Sequence, residues 1–238
     1  MKKIFVFLLL FSFCSETPAE ETSDTELSIP ELETDVSDSI IEEVTTTIKI
    51  EQLDIFKDII YEINKDKSSV SYLAPKDFLN SNLEIVKGST REIIGSFSLS
   101  LDSCELADSC LIIKDLIISV DLTTLKSGNS IRDNAIKNNW LESSLFPSAI
   151  YRIDDLTLPN NDFDSKIDET VVGVLSVRNI EVNVPFTITA YMEDDEIKIF
   201  GMTEIDTTWF GFDAPTKFNA WEVLNPIGIE VDLVSKRK

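Results

Sequence analysis

Histidine is absent from the 238 residues. That removes the side chain most often used as a general base near neutral pH, and the commonest ligand for a transition metal. A serine nucleophile needs an activating base, and no G-x-S-x-G or S-x-x-K motif stands at a strand-to-helix turn. Cysteine is scarce. Of the three, Cys14 lies far from Cys104 and Cys110, which lack the second pair that a structural zinc site requires, and the carboxylates follow no EF-hand spacing. These absences leave no catalytic constellation, no metal site and no cofactor, so the chain reads as a protein that is not an enzyme. Basic residues number 21 against 43 acids, a formal charge of -22, which makes phosphate backbones and anionic lipid surfaces repulsive partners and excludes nucleic acid. Long apolar runs are missing too. Residues 4–13 form the longest, too short to span a bilayer as a helix.

That short run has a different use. Lys2 and Lys3 precede it and polar sequence follows, so residues 1–14 have the form of a secretory signal peptide. Cys14 sits directly after the apolar run, where a bacterial lipoprotein carries its acylated cysteine, although Phe13 is a poor match to the small residue expected before it. The segment therefore fits both lipidation and simple secretion. Either way the protein is expected to be exported, to the periplasm or to a membrane-anchored place in the cell envelope. Residues 1–14 hold two lysines and no acid, so their removal brings the charge to -24. If Cys14 is acylated, Cys104 and Cys110 remain as an even pair, and the five residues between them can close a small disulfide loop; two free buried cysteines are the alternative. Residues 15–50 read as an acidic disordered tether, with eleven acids and no basic residue in 15–48.

From residue 51 to 236 the pattern is that of a single β domain. In 92–102, Ile93, Gly95, Phe97, Leu99 and Leu101 face one way and polar residues the other; in 180–192, Ile180, Val182, Val184, Phe186, Ile188, Ala190 and Met192 share a face. Pro185 removes a ladder donor, which places it at an edge or a bulge. Residues 193–196 read as a hairpin tip, 197–210 as the returning strand, and Ile227, Ile229, Val231 and Leu233 as one face of the last strand. One stretch breaks the rhythm. In 126–151, Ile131, Ala135, Ile136, Trp140 and Leu141 recur at helical spacing, with Ser127, Asn129 or Ser130 as N-cap and Pro147 as the stop. Many strands, short polar turns and a single helix favour a closed antiparallel barrel or a sandwich.

Several pieces in order are similar to the YceI-like family of exported lipid-binding barrels. Residues 61–72 resemble its opening strand motif, and Ile94-Gly95-Ser96-Phe97 its G-x-F strand. Residues 127–133 with Leu145-Phe146-Pro147 resemble an N-x-x-R-D helix and the Phe/Tyr-Pro start of a strand. Residues 172–179 are similar to G-x-L-x-x-x-G, and residues 207–211 to a closing R-x-x-F-G. Lys67, Asn179 and Thr207 stand where the family often has His, Gly and Arg, which withholds the roles of those family residues from this chain. The resemblance implies an all-β, lipocalin-like closed antiparallel barrel of about eight strands with one short helix over an end, enclosing an isoprenoid or other amphipathic lipid.

The expected function is thus non-enzymatic binding or transport of a polyisoprenoid-like lipid; a structural or interaction lipoprotein with a filled barrel is the alternative. The expected lining is aromatic and aliphatic: Phe97, Leu99, Phe186 and Ile188 as walls, Trp140 and Phe146 as the closure, and Tyr151, Trp209 and Phe210 from the aromatic second half. Arg132 and Asp133 admit two readings, a surface pair at the first helical turn or an inward Arg132 that holds the lid or meets a ligand's polar head, and a structural role is preferred.

Overall fold

Alternating side chains close on themselves in the computed structural model, which describes residues 58–78, 82–102, 104, 109–158, 162–163, 165–217 and 220–238. The expectations for the signal peptide 1–14, Cys14 and the tether 15–50 lie outside the described residues. The strands are β1 (Ile59–Ile63), β2 (Ser69–Phe78), β3 (Glu84–Thr90), β4 (Ile93–Asp102), β5 (Cys110–Asp121), β6 (Ser148–Leu158), β7 (Ile167–Val177), β8 (Ile180–Glu193), β9 (Glu196–Ile205), β10 (Thr216–Lys217), β11 (Trp221–Val223) and β12 (Ile227–Arg237). Eight of them form a ring in the order β1, β4, β5, β6, β7, β8, β9, β12, and β12 returns to β1 to close it. Every pairing is antiparallel, as the short polar turns require. The expected closed barrel of about eight strands is what forms.

β12 is the stave that joins two layers of the design. Its end pairs with β1 through Tyr61↔Arg237, and its first half pairs with β2 through Leu73↔Gly228 and Val70↔Val231. β2 in turn pairs with β3 and with β11, whose partner is β10, so a small sheet extends from one rim of the ring. The alternation read from sequence does not mark β3, β10 or β11, which are short or interrupted by glycine and charged residues.

Local chemistry accounts for the turns. Arg178 and Asn179 connect β7 to β8 with φ of 53° and 61°, and Asp194 and Asp195 connect β8 to β9 with φ of 52° and 61°. Two successive left-handed residues match the right-handed twist of a hairpin, and Asn and Asp tolerate them. Asn179 therefore does the conformational work that a glycine would do there. Pro185 faces Val172 of β7, but β8 pairs with β9 only from Thr187 onwards, so the proline meets no ladder on its other side. This is the expected edge position.

Helix α1 (Ser130–Ala135) is capped by Asn129, whose side chain accepts from the backbone N–H groups of Ile131 and Arg132. It does not run on to Pro147 as the sequence pattern implies. Residues Ile136–Trp140 widen into a π turn, Leu141 N donates to Ile136 O at 2.9 Å, and Glu142 takes φ 47°, which ends the helical path before Pro147 is reached. β9 is also shorter than the expected 197–210: it ends at Ile205, and residues Thr207–Phe210 turn as a 3-10 helix closed by Gly211 at φ 74°. Cys104 and Cys110 are joined by a disulfide with Cα atoms 5.9 Å apart, tying the β4–β5 connection. No helix among the described residues is long and apolar enough to cross a membrane.

Candidate functional site

The barrel is not filled. Beneath α1 and the π turn lies a cavity of about 430 Å³, and a second space of about 100 Å³ continues towards the opposite end. Val70, Val120 and Ala149 border both, so the two share one waist. Beyond the smaller space the interior closes: Tyr61 stacks on Phe97 with ring centroids 5.5 Å apart, among Leu99, Leu158 and Ile167. The result, among the described residues, is an apolar sac beneath the lid with a packed floor. Its larger volume falls in the range usual for small-molecule sites.

The expected lining residues are distributed unevenly through this sac. Trp140 and Phe210 line the main cavity, with Ile131, Ala135, Ile136 and Leu141 of the same helical stripe. Phe97, Tyr151, Phe186 and Ile188 line the smaller space below. Leu99, Phe146 and Trp209 border neither space. Leu99 is buried in the floor. Trp209 is 47% exposed, because the 3-10 turn at 207–210 sends Phe210 inward and leaves its neighbour outside. Phe146 belongs to the seam between lid and barrel: the Arg178 guanidinium lies 6.0 Å from its ring and 5.6 Å from that of Phe212, donates to Gly211 O at 3.1 Å, and pairs with Glu142. One arginine from the β7–β8 turn thus staples the end of the lid.

Arg132 and Asp133 do not pair with each other among the described residues. Both hold Ser127. Arg132 Nε donates to Ser127 Oγ at 2.7 Å and Nη2 to Ser127 O at 2.9 Å, while Asp133 Oδ1 accepts from the Ser127 backbone N–H at 3.0 Å and from its hydroxyl. Arg132 also borders the larger cavity. Lys67 pairs with Glu196 at 2.8 Å, and Thr207 binds Asn225 Oδ1 at 3.3 Å through both its N–H and its hydroxyl.

Tyr72, Lys76 and Trp221, which no sequence motif marks, also line the larger cavity. Val70, Tyr72, Ala74 and Lys76 alternate along one face of β2, a signal present in the sequence but hidden by Pro75 and by the polar end of the series. Lys76 Nζ lies 4.2 Å from the Trp221 ring and 4.6 Å from that of Phe78. Burial lowers its pKa first and Arg132 adds to that, with Glu84 opposing. The Tyr72 ring lies over Gly88, where an added Cβ would come within 2.3 Å of it, and its hydroxyl is buried. Burial raises the Tyr72 pKa, with Ser127 and Arg132 pulling less strongly the other way.

Residues 61–235 match the sequence model of the YceI-like domain, about three quarters of the chain. The chain belongs to the YceI-like family. Solved structures agree on the fold of this YceI-like barrel. A polyisoprenoid binding domain from Saccharophagus degradans, implicated in plant cell wall breakdown, is 9% identical with a TM-score of 0.54, covering 76% of this chain and 99% of its own. BcnA from Burkholderia cenocepacia is 16% identical with a TM-score of 0.50, covering 72% and 98%. Among curated proteins none matches. Among the described residues of the YceI-like domain, no group of three His, Cys, Asp or Glu side chains is placed to hold a metal.

Proposed function

We propose that this protein binds an amphipathic lipid of polyisoprenoid type and carries or stores it in the cell envelope without transforming it. The observation that supports this best is the 430 Å³ apolar sac under a helical lid, since a barrel serving only as a scaffold has no use for an open interior. Removing a prenyl chain from water is favourable by about 25 cal/mol per Å² of apolar area, so most of the affinity comes from the tail. Family membership and the polyisoprenoid ligand of the Saccharophagus degradans domain point the same way. The signal-like residues 1–14 and the Cys104–Cys110 disulfide accord with export to the periplasm, and Cys14 with attachment by acylation.

Native mass spectrometry of the full chain, purified gently from its own envelope, is expected to show a lipid adduct that organic extraction removes. A chain that arrives unliganded and takes up no added polyprenol would refute the reading. Cys14→Ala is expected to move the protein out of the membrane fraction; a variant that stays there rules out the anchor alone.

A further inference from the structure

Residues 58–238 carry 30 acids against 17 basic residues, yet from Gly128 to Pro147 every exposed residue is uncharged. The segment holds two cations and two acids, Arg132, Lys137, Asp133 and Glu142, and all four are only partly exposed. What reaches solvent instead is small or amide-bearing, apart from two large apolar residues, Ile131 at 82% exposure and Leu145 at 70%. We propose that this outer face of the lid rests on a lipid bilayer whose heads are zwitterionic or uncharged, and that the sac is loaded and emptied there. This rests on the lipid-binding reading above and adds the place of exchange.

A single exposed isoleucine or leucine is ordinary on a protein surface. These two differ in what surrounds them. Ile131 also borders the larger cavity, so the face that meets solvent is continuous with the apolar interior, and a lipid leaving a bilayer against Ile131 enters the sac without crossing water. Leu145 adjoins Phe146, the ring beside Arg178, and the same guanidinium binds Gly211 O, at the close of the turn that carries Trp209. Ile180, 39% exposed, comes to the same place: its Cδ1 lies 3.2 Å from where a Cβ on Gly211 would stand. Leu145, Trp209 and Ile180 thus form an apolar rim at the end of the lid, and an exposed indole suits the depth at which lipid heads meet tails. Charge decides between occupants. A chain of charge -22 is repelled by an anionic surface wherever its acids face outward, and a lid without exposed charge approaches a neutral bilayer free of that repulsion. Asn134, Asn138 and Asn139 offer hydrogen bonds to lipid heads there without adding charge. A basic protein partner, which the overall charge would favour, meets no exposed carboxylate on this face.

Trp140 and Trp221 line the larger cavity and Trp209 stands on the rim, and these are the chain's three tryptophans. Their quenching by bromines on lipid tails therefore reports contact of the lid end and not of an acylated Cys14. Vesicles of brominated phosphatidylcholine should quench the full chain, and Trp209→Phe should remove the part of that quenching that comes from outside both cavities. Ile131→Asn combined with Leu145→Asn should raise the lipid concentration for half-quenching about tenfold, whereas Ile94→Asn, at a β4 residue 71% exposed, should leave it unchanged. Mixing in phosphatidylglycerol should weaken the contact. Polyprenol uptake from detergent, read by native mass spectrometry, keeps the two claims apart. Uptake without quenching, quenching that the double variant leaves unchanged, or quenching that grows with anionic lipid overturns the docking face while the lipid site stands. A dimer in sedimentation that the double variant dissolves, with no quenching, assigns the face to a second copy instead. Quenching with no polyprenol uptake keeps the docking face and overturns the cargo, and exchange with it.

Discussion

Tyr151 and Tyr72 each lay a ring across a glycine of the adjacent strand, Gly173 and Gly88, where a Cβ would come within 2.5 Å and 2.3 Å of the ring. Tyr151 donates to Val184 O at 3.1 Å from inside the barrel wall, and burial pushes its pKa up to about 12 against a lesser pull from Gly173. Below pH 10 both the folded and unfolded forms keep this proton. Between about 10 and 12 the unfolded chain releases it and the folded one does not, so stability falls as pH rises through that interval. Denaturant midpoints measured across it should drop in the wild type and drop less in Tyr151→Phe, with the remaining slope shared by Tyr61 and Tyr72, whose pKa values burial also raises, and by Lys198 and Lys238, raised by Glu193 and Glu62. The variant should be about 1 kcal/mol less stable at neutral pH from the lost hydrogen bond. Identical slopes would show that Tyr151 titrates normally. Tyr151 was legible in the sequence as an aromatic of the inner face. Tyr72 and Lys76 were not, because a phenol and an amine ending an alternating series look like a strand leaving the core; only the pairing of β2 with β3 and β11 brings them over the mouth.

At the level of elements, the same sequence signals were right about kind and wrong about extent. The helical stripe from Ile131 to Leu141 does face the cavity, but its winding changes from α to π after Ala135, and no residue pattern announces that change. The hairpin at 194–195 was legible through its turn residues, and Pro185 through its missing donor. The small sheet of β2, β3, β11 and β10 was not, since β2 with β3 and β10 with β11 pair locally and are joined only by β2 meeting β11 more than a hundred residues away. A lid with so short a helix leans on its cap. Asn129 satisfies two of its first N–H groups at 3.1 Å each, so Asn129→Ala should cost about 1 kcal/mol locally, seen as roughly fivefold faster hydrogen exchange at Ile131 and Arg132. Exchange that speeds up equally across β5 and β6 would mean that the lid and the barrel open together, contrary to a local effect of the cap.

Across the whole molecule, the closed ring makes the sac possible and the waist determines how it is used. A sheet with an open edge would collapse around its own apolar face, whereas eight paired staves hold their walls apart, and the Tyr61–Phe97 stack stops the far end. Between mouth and floor, Ala149 pairs with Val120 and borders both spaces, the smallest side chain at the waist. A tail entering beneath Trp140 therefore has to pass Ala149 to reach the space lined by Phe186 and Ile188. In the wild type, affinity for saturated acids should climb from octanoate through dodecanoate to hexadecanoate, by up to about 0.8 kcal/mol for each methylene that leaves water. Ala149→Phe places a ring in that passage. The variant should bind octanoate like the wild type and gain less from each further methylene, a change of slope that loss of stability alone would not produce. Parallel series for the two proteins would show that the tail ends above the waist and that the lower space is only a packing gap.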